Sequence, residues 1–441
     1  MLYTDRRDLP LSTTSDLAAK HYRQGVDLLL SLWPGAAEAL DQAIDSDPCF
    51  ALAHAARARL HAICAQPGQA VARIAEAELL VERVGDERER SHVAVLSLAI
   101  KGASAQALSA ALVHLDRWPR DVLIFGLPLG AFGLFAFSGM ANHDQARVDL
   151  CERYARHFAE DDWWFLTYRG WAHVENGSVR LGRHFAQRAL EHRRENANGA
   201  HALAHALHES GASEEAQDLL ADWLPDYDRS GVLHGHLAWH AALVALERGD
   251  VEHALRCYTR HVAPAVSQGT PINIVSDSAS FLWRLQAYGH EVPSGLWAEA
   301  ACFASPYFQQ PGFAFADVHM ALIAAATGDH ESLERRAAVL ARLGQDNRLP
   351  VGGVVAGVAR ALLAFAEQDY VSCIQGLEPA LNEVIRIGGS GAQREVMEDT
   401  LIVSMMKAGQ TEQATALLDR RLHRRPSRRD AHWHRLCTQG A

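Results

Sequence analysis

Five times along this chain, two amphipathic stretches meet across a short glycine-containing turn: NGS at 176–178, SGAS at 210–213, RGD at 248–250, TGD at 327–329 and AGQ at 408–410. Each turn has the chemistry of one helix ending and another starting. A glycine can take the left-handed C-cap conformation, and a polar N-cap residue follows. A helix pair of this size cannot bury its apolar face alone, so pairs must stack, and the array rather than the pair is the folding unit. Alternating β-branched runs are nearly absent, and abundant alanine and leucine favour helix throughout. The expectation is an all-α superhelix of antiparallel helix pairs, an α-solenoid. It forms a single continuous repeat domain over 1–441 with a concave inner face, and its basic end, 420–441, is expected to be partly flexible.

Composition narrows the partners. A net charge of −11 argues against broad nucleic-acid binding, which needs a basic surface. The one basic run, RRLHRRPSRR at 420–429, reads as a solvated final helix and tail. The seven cysteines (Cys49, Cys64, Cys151, Cys257, Cys302, Cys373 and Cys437) are odd in number, scattered and never in a CxxC pair, which points to reduced thiols in the cytoplasm. The opening MLYTDRRDLP lacks the apolar core of a signal peptide. VLIFGLPLGAFGLFAFSG at 122–139 is uncharged and of marginal length for a bilayer. It contains Pro128 and three internal glycines and has soluble helical sequence on both sides, so it reads as a buried central helix. Neither nucleic acid nor membrane is expected as a partner, and a homodimer stays open.

The stretch AAEALDQAIDSDPCFALAHAARARL at 36–60 sets Ala36, Leu40, Ala43 and Pro48 at the spacing of a tetratricopeptide repeat's second helix and closing proline. Further landmarks follow in order: ERERSHVAVL (87–96), WPRDVL (118–123), AHVENG (172–177), HALAHALHESG (201–211), HLAWHAALVALERGD (236–250), SDSASFLWRL (276–285), FADVHMAL (315–322) and GGSGAQRE (388–395). As an ordered set they resemble the tetratricopeptide repeat protein 38 family, as a bacterial member. The resemblance spans most of the chain and implies one continuous helical superhelix, with no particular reaction attached. At one position the chain departs from the pattern: Gly391 stands where the family has a histidine after GGS, while Gln393 and Arg394 match.

The chemistry concentrates in histidines. His201 and His205 have i, i+4 spacing, which lets two imidazoles of one helix reach a single point. His236 and His240 repeat it with Trp239 beside them, and both pairs are offset by the same interval (236 − 201 = 35; 240 − 205 = 35). Equivalent helices of neighbouring repeats lie about 10 Å apart, so four imidazoles could converge. Such a set suits a divalent transition metal, or acid–base catalysis without one, or hydrogen bonding between packed helices. No cofactor is required.

Asp277, Ser280 and Arg284 share a helical face, which reads either as an Asp277–Arg284 ion pair or as Arg284 gripping a substrate carboxylate or phosphate. His319 sits on an apolar helix near Asp317, and His92 stands inside RSHVAVL. Glu175 ends a helix, where it could orient a histidine or cap the helix. GGSGAQR, with Arg394, reads as a helix-capping turn that could also clasp an anion. The main functional expectation is a small-molecule pocket lined by His201, His205, His236 and His240 as acid–base groups. Arg284, Asp277, His319, Trp239 and Arg394 would bind a small anionic substrate in a hydrolase, lyase or isomerase. The alternative is a non-catalytic scaffold that takes a peptide or protein on its concave face.

Overall fold

The computed structural model describes residues 3–439 and is built almost wholly from helix. Among the described residues, 23 α-helices follow one another, and the only sheet is a two-residue antiparallel pair, Tyr3–Thr4 with Pro10–Leu11. All five turn glycines take positive φ: Gly177 at 85°, Gly211 at 67°, Gly249 at 80°, Gly328 at 72° and Gly409 at 74°. After two of them an aspartate caps the next helix. Asp250 accepts from the His253 amide and Asp329 from the Ser332 amide. These helix ends are therefore set by local chemistry.

The chain forms two compact units, Met1–Leu203 with Ser230–Leu233, and Ala204–Arg229 with His234–Ala441. In the first, consecutive helices such as Ala36–Ser46, Ala51–Ile63 and Pro67–Val84 pack on one another; the first two join a core with Phe50, Phe125 and Trp164, and Pro67–Val84 joins one with Ala55, Val93 and Leu96. In the second, most helices meet their successors, and every other helix also meets the helix two places on. His234–Glu247 touches Pro271–Ala287, which touches Ala314–Thr327, then Gly352–Ala366, then Gly391–Lys407. That every-other-helix row is the signature of stacked helix pairs. Its core holds Trp239, Phe281, Trp283 and Phe315, all fully buried.

Two sequence expectations fail here. The 122–139 segment is largely buried but is not one helix. Only Val122–Phe125 is helical, and the residues after it run as turns past Pro128 and the glycines, which cannot continue a helix cheaply. Among the described residues no helix is long and apolar enough to cross a membrane. The basic run is not a solvated face either. Arg421 and Arg425 are buried, on helix Thr411–Arg424 and immediately after it, because four-residue spacing turns both toward carboxylates of Gly391–Lys407.

Candidate functional site

Helix Ala197–Glu209 starts where the Asn196 side chain accepts from the Gly199 amide, and the chain leaves it through the left-handed Gly211. The division between units falls within this helix, which is continuous, so His201 stays one helical turn from His205. Helix His234–Glu247 is buried along nearly its whole length. Its His236 and His240 are again one turn apart, and Trp239 lies between them. His201, His205, His236 and His240 are all buried, and one ligand-capable atom from each lies within 4.8 Å of the others.

The ring planes are held from several sides. His240 stands edge-on to His205 at 4.5 Å between centroids and to His236 at 5.0 Å. His236 stacks on Trp239 at 13°, and His201 stacks on Trp171 at 25°. From helix Pro271–Ala287, Asp277 accepts from His236 Nδ1 at 2.9 Å. That bond orients the ring and favours the tautomer with the proton on Nδ1.

Asp277 and Arg284 do not pair with each other, although the sequence allowed it. Two helical turns separate them, and each finds its partner on another helix. Arg284 donates through Nε to Asp399 at 3.3 Å and through Nη2 to the Ala392 carbonyl at 2.7 Å, while its guanidinium lies 5.9 Å from the Trp239 ring centroid. His319 donates from Nδ1 to the Phe315 carbonyl at 2.7 Å, and burial lowers its pKa to about 4 despite that bond. His319 is therefore a neutral core imidazole at ordinary pH. Arg394 donates to the Gly389 carbonyl at 2.6 Å, and Ser390 and Gln393 form a reciprocal capping box, so GGSGAQR is a helix-capping turn. His208 lies 3.4 Å from Glu395, away from the imidazole quartet.

Sequence reading missed two buried charge centres. In the first unit, Asp121 accepts from Arg88 at 2.8 Å and from His92 Nδ1 at 2.9 Å, with His114 Nε2 at 3.3 Å. Burial opposes the charged carboxylate, but His92, His114 and Arg88 hold it well below the usual range. The available signal was Arg88 and His92 at i, i+4 on a buried helix face. In the second unit, Glu395, Asp399 and Asp430 meet Arg421, Arg425 and Arg429. Arg421 Nε lies 2.8 Å from Asp430, and its Nη1 lies 2.8 Å from Asp399. Burial raises the Glu395 carboxyl, and Arg425 and Arg421 reverse that to leave it well below its ordinary value. The signal there was the four-residue spacing of arginines 421 and 425.

No family model matches the chain. Among solved structures it is similar to that of Naa15/Naa10 bound to HypK-THB, at 11% identity and a TM-score of 0.25, with 91% of this chain aligned. The chain spans 62% of that protein's length. It is also similar to the P58(IPK) TPR domain, at 15% identity and a TM-score of 0.21, covering 89% of this chain and 99% of that one. At these scores neither likeness bears on function, and the helical-repeat fold stands on the helix pairs themselves.

Proposed function

We propose that the chain is a helical-repeat scaffold that takes a protein or peptide partner along its stacked helices, and that the histidine group serves the scaffold's interior. One observation carries this choice over a substrate pocket. His240 touches His205 and His236 edge-on at 4.5 and 5.0 Å, so these three rings pack against one another rather than standing apart around a substrate. The guanidinium that would grip an anionic substrate, on Arg284, is already taken by Asp399 and a carbonyl. What the chain still offers for recognition is helix surface repeated at regular intervals, the property that suits stacked repeats to extended ligands. Seven free thiols fit a reducing compartment, and we assign the cytoplasm on that basis.

A second reading, acid–base catalysis by His201, His205, His236 and His240, is favoured by one contact. Asp277 accepts from His236 Nδ1, the carboxylate–imidazole pairing that general-base histidines use. One experiment separates the two. A displayed peptide library is panned on the full chain and the hits are remeasured as synthetic peptides by calorimetry, beside a thermal-shift screen of metabolites. The scaffold reading expects saturable one-to-one peptide binding that persists in His236→Gln. If no peptide binds, while a small organic compound raises the melting temperature and His236→Gln abolishes that rise, the scaffold reading fails and the catalytic one gains.

A further inference from the structure

The imidazole quartet brings four nitrogen donors close enough to share one ion. Its four donor atoms come two from each of two helices and lie within 4.8 Å of one another. A tetrahedral ion with metal–nitrogen bonds of about 2.0–2.1 Å needs nitrogens about 3.4 Å apart, at most about 1.4 Å closer than that spread. Small imidazole rotations cover such a distance.

We propose that His201, His205, His236 and His240 bind one divalent late-transition ion, zinc or copper(II), in a closed four-nitrogen site. Neutral imidazole is the preferred donor for these ions, and no carboxylate or thiolate is among the four donors to favour a harder or softer one. Asp277 supplies the outer partner that metal-bound histidines regularly have. It accepts from His236 Nδ1, orients the ring, and contributes a negative charge beside the ion's positive one. Trp239 and Trp171 hold the planes of His236 and His201 by stacking. Four protein ligands fill a tetrahedral shell and leave no position for water, which is the pattern of structural zinc rather than hydrolytic zinc. The ion's role is therefore to cross-link helix Ala197–Glu209 to helix His234–Glu247, and this holds whether or not the scaffold reading is right.

The test uses the full chain made without a histidine tag, stripped with chelator, and titrated with zinc sulfate and separately with copper(II) chloride. Equilibrium dialysis should give one tightly held ion per chain and calorimetry a matching stoichiometry, and metal should raise the melting temperature. Cobalt(II) should give the intense visible bands of tetrahedral coordination. His205→Gln with His240→Gln should abolish the tight ion. Asp277→Asn, which keeps all four ligands, should weaken binding by about 10–100-fold. Circular dichroism confirms that each variant is folded, and His201→Gln replaces the double variant if that one is not.

The chain carries 24 histidines, so weak surface binding is the competing result. Metal uptake that survives His205→Gln with His240→Gln, or that stays below one ion per chain with no thermal shift, overturns the proposal. So does octahedral cobalt.

Discussion

Replacing Asp399 with asparagine asks whether charge pairing or apolar packing holds the last helices of the second unit. Asp399 is 1% exposed and accepts from Arg421 at 2.8 Å, Tyr288 Oη at 2.7 Å and Arg284 at 3.3 Å, with Arg429 at 3.4 Å. Burial pushes its carboxyl up, and the guanidiniums of Arg429 and Arg421 more than offset that, leaving it below the ordinary value. Asparagine keeps the shape and removes the charge, so three guanidiniums lose a shared anion without a cavity forming. Removing one partner of a buried pair costs about 3–5 kcal/mol. In a unit of this size each kcal/mol moves the melting temperature by about 2–4 °C, so a loss near 4 kcal/mol means a fall of about 8–16 °C.

Differential scanning calorimetry measures it, with Asp419→Asn as the control. Asp419 is 64% exposed and pairs with His434 at 3.0 Å, so its loss should cost less than about 1 kcal/mol. Because the Asp399 carboxyl is depressed in the fold, its contribution is complete above the unfolded value of about 3.9 and fades as pH falls below it. Wild type and Asp399→Asn should therefore converge in acid. A shift no larger than the control's at neutral pH would refute the reasoning and assign the helices to apolar packing alone.

Other consequences follow from single residues. His319 is held neutral with its pKa lowered to about 4, so the unfolded chain takes up that proton first. Stability from this site is full above the unfolded value of about 6.5 and falls as pH drops toward 4, by about 2 kcal/mol at pH 5. His319→Gln should remove one proton's worth of slope from stability against pH between about 5 and 6.5, and an unchanged slope would exclude His319 as the source. Gly249→Ala and Gly211→Ala form a matched pair. Both glycines have positive φ, but an added Cβ meets open space at Gly249 and would fall 2.3 Å from the Pro426 carbonyl at Gly211. Gly249→Ala should cost about 1 kcal/mol and Gly211→Ala at least about twice that in urea denaturation, and equal costs would contradict the close approach.

Much of this was legible in the residues because it is local. The five glycine turns are helix ends whose chemistry lies within a few positions, and all five take the expected left-handed conformation. The histidine quartet was legible through repetition, since a 35-residue offset places two i, i+4 pairs on equivalent helices. What the sequence hid lies between helices distant along the chain. The partner of Arg284 is Asp399, 115 residues away, and a reading confined to one helix could only suggest Asp277. The basic run misled because counting charge over 420–429 ignores which side of the helix each arginine occupies. The 122–139 segment misled because its apolar residues belong inside whatever backbone they adopt, so burial by itself did not specify helix.

The arginine-rich end also decides how modular this protein is. In an array whose neighbours meet through interchangeable apolar faces, a helix pair can be swapped for a consensus copy. Here Gly391–Lys407 presents Glu395 and Asp399 to its neighbours, and Arg421 and Arg425 answer them. A consensus helix with leucine at those facing places would entomb two carboxylates without counterions. Any chimera built from this chain must carry Gly391–Lys407, Thr411–Arg424 and Arg428–Gln439 together as one cassette.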